Sequence, residues 1–485
     1  MELRYYSHAS IQVVGRSGIR LLTDPWLYSP IYGNMMWQFP TCRIPLNEYV
    51  QQDILYISHT HPDHMCPRTL QHFDRSTPVV IRKYQVGVNL KKDLEELGFR
   101  SIVEVEHRQT VEPLSGLALT LLADQRSFDS ALVVSDGQHT FFNQNDCFLE
   151  DNDLRWIGEK FRIDMAALFF MGCGQFPGSF EMPWEEKQAV VSKKMEWSFA
   201  RTVRTAQLLK ARHMLPYASD LTWLRRPDLA RLNGALPAEF RRYVWEQKSP
   251  VEVYLLTSGD SYRFKESPDE YRSHFKNRDE MLRAYEGVRR LPVNIQVMQE
   301  LEAWEQTFVF SPDKFLALFR KYCNEAQGKD LVRDTGKEIW VGLRVQGEPT
   351  SVEYLVRYGS KVKDIMISDV PLAMQGGLHM VLTVPGNLLS MALSGALTFE
   401  DLANCRYSIA RPGPFNETED SFWYFMEGFT WYLDSIGEQP NKDDRDRLKV
   451  LGTPVSSFPY QEAVNGSPDP SGLLCPAPHD ANAHH

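Results

Sequence analysis

Along the first part of the chain, short apolar strand-like runs are separated by polar and turn-forming residues. Leu3 to Val14 and Ile19 to Thr23 flank the turn-forming Gly15-Arg16-Ser17-Gly18, which predicts a two-stranded hairpin. Ile54-Leu55-Tyr56-Ile57 is an apolar run between polar neighbours, as expected of a buried strand. Further strands are expected over Pro78 to Arg82, Ile102 to Val105, Leu117 to Ala123, Ser130 to Val134 and Thr140 to Asn143, with Asp136-Gly137 as a hairpin turn. Helical stretches fall at Pro67 to Phe73, where proline suits the first turn, and at Val86 to Leu97. Short strands interleaved with helices predict an α/β sandwich.

Beyond this region the pattern lengthens and then changes. Glu185 to Arg212 reads as one long helix. Glu266 to Arg289 is dense in charge and reads as an exposed helical link that marks a boundary. Past it, Ser311-Pro312-Asp313 opens a helix running to Asn324. Strands follow over Glu338 to Val345, Ser351 to Tyr358, Val362 to Ser368 and Gly377 to Val384, then helices over Gly386 to Ser394 and Phe399 to Ala403. Ser421 to Ile436 carries aromatic residues around too much of its circumference for a surface helix, so it should dock on its domain or on a second copy in a homodimer. From Gly437 onward Pro, Gly, Asp and Asn dominate, and disorder is expected. The expected division is a catalytic domain over 1–275, a smaller α+β domain over 276–436 and a tail over 437–485.

Composition narrows the setting. A chain of 485 residues is too long for one ordinary core. The net charge of −10 argues against a nucleic-acid binder, which needs clustered Lys and Arg. Seven cysteines without a C-x-x-C pair suggest no disulfide framework and fit a reducing cytoplasm. No secretion signal is visible at the N-terminus, and no run approaches the roughly 18 apolar residues of a membrane span.

The chemistry is concentrated directly behind the Ile54 to Ile57 run, in Ser58-His59-Thr60-His61-Pro62-Asp63-His64. Three imidazoles and a carboxylate in one short loop form a metal site by composition; imidazole suits zinc, iron and copper, and the carboxylate widens the choice to iron or manganese. His59 and His61 are spaced to project to one side, leaving Asp63 and His64 for a second position. Asp24 before Pro25 can brace the loop or simply make a turn, and His8 can sit by the metals or in the core. Tyr28 to Glu48, rich in aromatics and including Trp37, is either a substrate lid or packing against the sheet.

The His-x-His-x-Asp-His spacing resembles the signature of the metallo-β-lactamase superfamily. That resemblance implies an αββα sandwich with one or two metals, His59 and His61 holding the first, Asp63 and His64 the second, and Asp146 bridging them. Ser7-His8-Ala9-Ser10 and Thr23-Asp24-Pro25-Trp26-Leu27 resemble the entry hairpin of its lactonase-like branch. Two histidines usual in the superfamily are absent, and Asp124, Gln125 and Asp220 stand as candidates to replace them. The stretch Met171-Gly172-Cys173-Gly174-Gln175-Phe176-Pro177-Gly178, the following helix and Leu215-Pro216-Tyr217-Ala218 resemble the catalytic part of the CMP-N-acetylneuraminic acid hydroxylases. This second resemblance implies iron-dependent oxygen chemistry fed by a Rieske centre. No C-x-H and C-x-x-H pair is present, so a separate ferredoxin or Rieske-type protein would donate the electrons.

A di-iron oxygenase acting on a small molecule is therefore favoured over a zinc hydrolase of an ester, lactone, amide or phosphodiester, and both over a scaffold without activity. Candidate substrate contacts are Trp37, Gln175, Tyr217, Trp223 and Arg225, the last because guanidinium matches carboxylate and phosphate geometry. In the C-terminal part, the meander with Leu393-Ser394-Gly395-Ala396-Leu397-Thr398 resembles sterol-carrier-like domains, and it serves either ligand burial or packing and dimerisation.

Overall fold

A computed structural model describes residues 1–84, 90–125, 127–172, 175–232, 235–264, 273–326, 339–347, 351–358, 366–368, 377–403 and 406–410, with Met426, Phe429 and Leu433. Two seven-stranded sheets form the N-terminal sandwich. The first runs in the order Ser261–Arg263, Glu2–Ser7, Ser10–Val14, Arg20–Thr23, Ile54–Ile57, Val79–Arg82, Ile102–Val105. The second runs Glu252–Val253, His213–Tyr217, Met165–Phe169, Thr140–Asn143, Ser130–Ser135, Ala118–Ala123, Thr110–Val111.

Alternation along each strand decides the layering. Ile54 and Tyr56 face a shared inner core with Leu121, Leu132, Phe141 and Met165 of the opposite sheet, whereas Leu55 and Ile57 face outward against Tyr49, Leu70, Leu90 and Leu94. Across the sandwich, Phe142, Val133 and Leu168 point outward onto Leu154, Phe199, Val203 and Phe240 from helices Asp151–Lys160, Trp184–Leu208 and Pro237–Glu246. Both faces of both sheets are covered, which is why these strands read as nearly unbroken apolar runs. The result is an αββα sandwich.

The smaller α+β domain has a five-stranded sheet, ordered Met366–Ser368, Val352–Tyr358, Ile339–Gln346, Met380–Pro385, Ser408–Ala410. Phe315, Phe319 and Tyr322 of helix Pro312–Ala326 pack on Val341, Leu343 and Tyr354 of that sheet. Met426, Phe429 and Leu433, at helical spacing, are buried in the same core. The two domains join through backbone: Ile409 N–H donates to Ser179 O, and Glu181 N–H to Ile409 O, each at 2.8 Å.

Several elements differ from their sequence expectation. Leu3 to Val14 is two strands, because His8 adopts φ +47° and the register shifts between Tyr5 and Ser7. The expected exposed link contains helix Arg278–Arg289, whose Ala284, Tyr285 and Val288 pack against Trp37, Phe39 and Leu224 of the sandwich side. Asp279 and Arg283 are exposed, while Arg278 bonds Glu239 and Arg289 bonds Leu224 O, so charge density alone does not mark an exposed link. The segment from Tyr28 to Phe39 is packed: Ile31, Tyr32, Met35, Met36, Trp37 and Phe39 are all buried. The tail from Gly437, the start of the helix expected from Val86, Cys173, Gly174 and the Gln175 side chain lie outside the described residues. Among the described residues, no helix is long and apolar enough to cross a membrane.

Candidate metal centre

The strands Arg20–Thr23, Ile54–Ile57 and Val79–Arg82 run parallel in one sheet, and Thr140–Asn143, Met165–Phe169 and His213–Tyr217 do so in the other. Their carboxyl ends supply loops to one edge of the sandwich, where α/β sheets place their ligands. The His59 to His64 loop leaves one sheet there, and Asp146 follows a strand of the other.

Six side chains meet at this edge as two donor sets. His8, Asp63 and His64 form one, and His59, His61 and Asp146 the other; within each set the donor atoms lie within 4.8 Å of one another. His59 Nε2 is 2.7 Å from His61 Nδ1. His64 Nε2 lies 3.6 Å from both Asp63 Oδ2 and Asp146 Oδ2, so Asp146 faces both sets. His64 Nε2 is buried and has no hydrogen-bond partner. A buried ring nitrogen left this way beside two carboxylates is what a metal-binding imidazole looks like without its ion, and the donor set of imidazoles and carboxylates fits zinc or iron.

Outside the donors, the chain fixes their orientation. Asp24 is fully buried and accepts from the Ser58 N–H (2.7 Å) and Oγ (2.8 Å), with His64 Nδ1 at 3.0 Å. A carboxylate on Nδ1 sets the tautomer that turns Nε2 toward the centre. His8 Nε2 meets Asp63 Oδ2 at 3.1 Å, and the Tyr32 hydroxyl donates to Asp63 Oδ1 at 3.0 Å. His8 itself is held by Asp220, whose Oδ2 accepts from the His8 N–H (3.1 Å) and the Tyr5 hydroxyl (2.6 Å).

Charge follows from this packing. Burial and the neighbouring His64 and His61 push His59 well below its usual value. Burial also opposes the charge on His64, but Asp63, Asp146 and Asp24 outweigh it and raise the ring well above its usual value. Burial would raise Asp63, yet His64, His8 and His61 hold it far below the ordinary carboxylate range. Burial and then Asp146 push Asp129 up to about 6.

The sequence candidates separate clearly. His8, His59, His61, Asp63, His64 and Asp146 are brought together, Asp24 orients His64, and Asp220 orients His8 without joining either donor set. Asp124 and Gln125 lie outside both sets; Asp124 O accepts from Arg82, and Gln125 is exposed. Trp37 and Trp223 are buried in apolar clusters, and Arg225 is paired with Glu305. The buried Tyr217 hydroxyl donates to Asn143 Oδ1 and accepts from the Asn145 N–H at 2.5 Å, bracing the loop that carries Asp146. Three neighbours were not foreseen. Tyr32 bonds Asp63; Phe128 stacks edge-on against His61, with centroids 5.0 Å apart; and Asp129 Oδ1 stands 3.8 Å from His59 Nε2. Asp129 directly precedes the strand Ser130–Ser135, and a carboxylate at a strand end was the one available signal.

The sandwich and its paired donor sets define a metallo-β-lactamase-fold, metal-binding protein. More particularly, residues 2–134 match the family model described as the beta-lactamase superfamily domain. It is 30% identical over 243 residues to a Mycolicibacterium smegmatis protein provisionally named as a Rieske 2Fe-2S iron-sulfur protein, covering 48% of this chain and 46% of that one. It is 26% identical over 185 residues to the cytidine monophosphate-N-acetylneuraminic acid hydroxylase of Danio rerio, covering 37% and 30%. It is 29% identical over 212 residues to a UPF0173 metal-dependent hydrolase of Methanobrevibacter smithii, covering 39% and 80%. The matched region spans about half the length of the Rieske-named relative.

Proposed function

We propose that this metal-dependent enzyme is a non-haem di-iron oxygenase that hydroxylates or N-oxygenates a small molecule with electrons from a separate donor. The observation that carries the reading is the make-up of the two donor sets: each holds two histidines and one carboxylate, the combination that suits non-haem iron with open positions. The similarity to a hydroxylase and to a Rieske-named protein supports it. His8, His64 and Asp63 would hold one iron and His59, His61 and Asp146 the other, with Asp146 reaching toward both. When bound, the iron would supply the reductive activation of O2. Asp24 and Ser58 keep His64 in one tautomer, Asp220 holds the His8 backbone, and Tyr32 spends one lone pair of Asp63. Phe128 packs its ring against His59 and His61.

A zinc hydrolase is the second reading, favoured by the relative named as a metal-dependent hydrolase, which this chain covers over 80% of its length. Two histidines with a carboxylate also serve catalytic zinc. Elemental analysis and Mössbauer spectroscopy on protein from iron-fed cells separate the two. About two iron per chain, with O2 consumed when the reduced protein meets substrate, is expected. Stoichiometric zinc with ester or phosphodiester cleavage would overturn the oxygenase reading. Under either reading His61→Ala removes metal and activity together.

A further inference from the structure

A second polar constellation lies where the two domains meet, and the metal centre does not use it. Arg225 lays both terminal nitrogens on Glu305, at 2.6 and 2.7 Å. Arg406 places Nη2 2.5 Å from the same Glu305 and donates Nη1 to Gly33 O at 2.6 Å. One buried carboxylate thus serves two guanidiniums. Beside them Arg226 pairs with Asp228, and Asp401 adds only a weaker attraction on Arg406. Burial, with Arg225 close by, holds Arg406 below its ordinary value despite Glu305. Three guanidiniums therefore gather here around the carboxylates of Glu305 and Asp228.

These arginines line an open cleft of about 330 Å³, shared with Met35 from the N-terminal domain and Gln346 and Thr383 from the C-terminal one. That size is within the range of small-molecule sites. Thr383 is 5% exposed, and its Oγ1 is buried without a hydrogen-bond partner. An unpartnered buried hydroxyl in a wall of guanidiniums is a donor waiting for an acceptor.

We propose that this interdomain cleft binds an anionic group, a carboxylate or phosphate, through Arg225, Arg226, Arg406 and Thr383. The ligand is either a free small anion or the charged end of a larger molecule. Full-length protein, stripped of metal by a chelator so that no ion competes, is titrated calorimetrically with inorganic phosphate and with phenyl phosphate. One site per chain is expected, weakened at least five-fold in both Thr383→Val and Arg226→Gln. Thr383→Val keeps the volume and removes only the hydroxyl, so its fold should be intact by circular dichroism. Tighter binding of inorganic phosphate identifies a free anion, and tighter binding of phenyl phosphate the end of a larger molecule. Absent saturable binding, or binding in either variant as tight as in the wild type, would overturn the proposal. Because the titration needs no metal and no turnover, its outcome is independent of which reaction the metal centre performs.

Discussion

At the scale of single residues, the candidate donors legible in the sequence are those the chain delivers together. His59, His61, Asp63 and His64 follow one buried strand, so composition and spacing expose them. His8 was open to two readings because it stands alone, and only the fold shows its Nε2 against Asp63. Tyr32 and Asp129 reach the centre from distant segments and carry no local signal. Tyr32 offers a test of how far such supporting contacts tune metal binding. Removing the hydroxyl leaves Asp63 Oδ1 without this donor while the ring keeps its packing, so Tyr32→Phe should weaken metal affinity about ten-fold with little change in thermal stability. Chelator competition measures the first and calorimetry the second; unchanged affinity would show that the contact does not steer Asp63. Asp24→Asn should act more strongly, because the amide cannot replace the charge facing His64 Nδ1 while still accepting from Ser58. A loss of up to about 100-fold in metal affinity is expected from the same competition.

Among the elements, the strands were well foreseen because two-sided burial leaves a continuous apolar run. The helices were harder to place, since their burial depends on partners far along the chain. Helix Asp151–Lys160 shows why. Its Gly158 looks like a weak point in a helix interior, where alanine would be favoured by up to about 1 kcal/mol. Yet a Cβ at Gly158 would come within 2.6 Å of Leu208 O and 2.9 Å of the Leu209 carbonyl, at the end of helix Trp184–Leu208. Backbone on the far side cannot swing away as a flexible side chain would. Overpacking of this kind costs roughly 1–3 kcal/mol, which exceeds the propensity gain. Gly158→Ala should therefore lower the urea midpoint; a rise would mean the helices separate easily, and that this crossing does not hold the outer layer in place.

For the whole molecule, contacts at two places hold the C-terminal domain against the N-terminal part. The backbone link at Ile409 closes one side, and Glu305 gathers Arg225 and Arg406 on the other, with Arg406 also holding the Gly33 carbonyl beside Tyr32. Little of this was legible in the sequence, because Arg225, Glu305 and Arg406 are spread over three segments that share no periodicity. Burial would raise the Glu305 carboxyl, but Arg225 and Arg406 outweigh it and hold it below its ordinary value of about 4.5. A depressed carboxyl binds fewer protons when folded than when unfolded, so its contribution is complete above pH 4.5 and fades as pH falls toward the folded-state value. Glu305→Gln leaves two buried guanidiniums without their counter-ion, and a loss on the order of 3 kcal/mol is expected at pH 7. Urea midpoints of wild type and variant should therefore converge as pH drops below 4.5. A gap that stays constant down to acid pH would mean that Glu305 acts through shape, and that charge does not hold the two domains together.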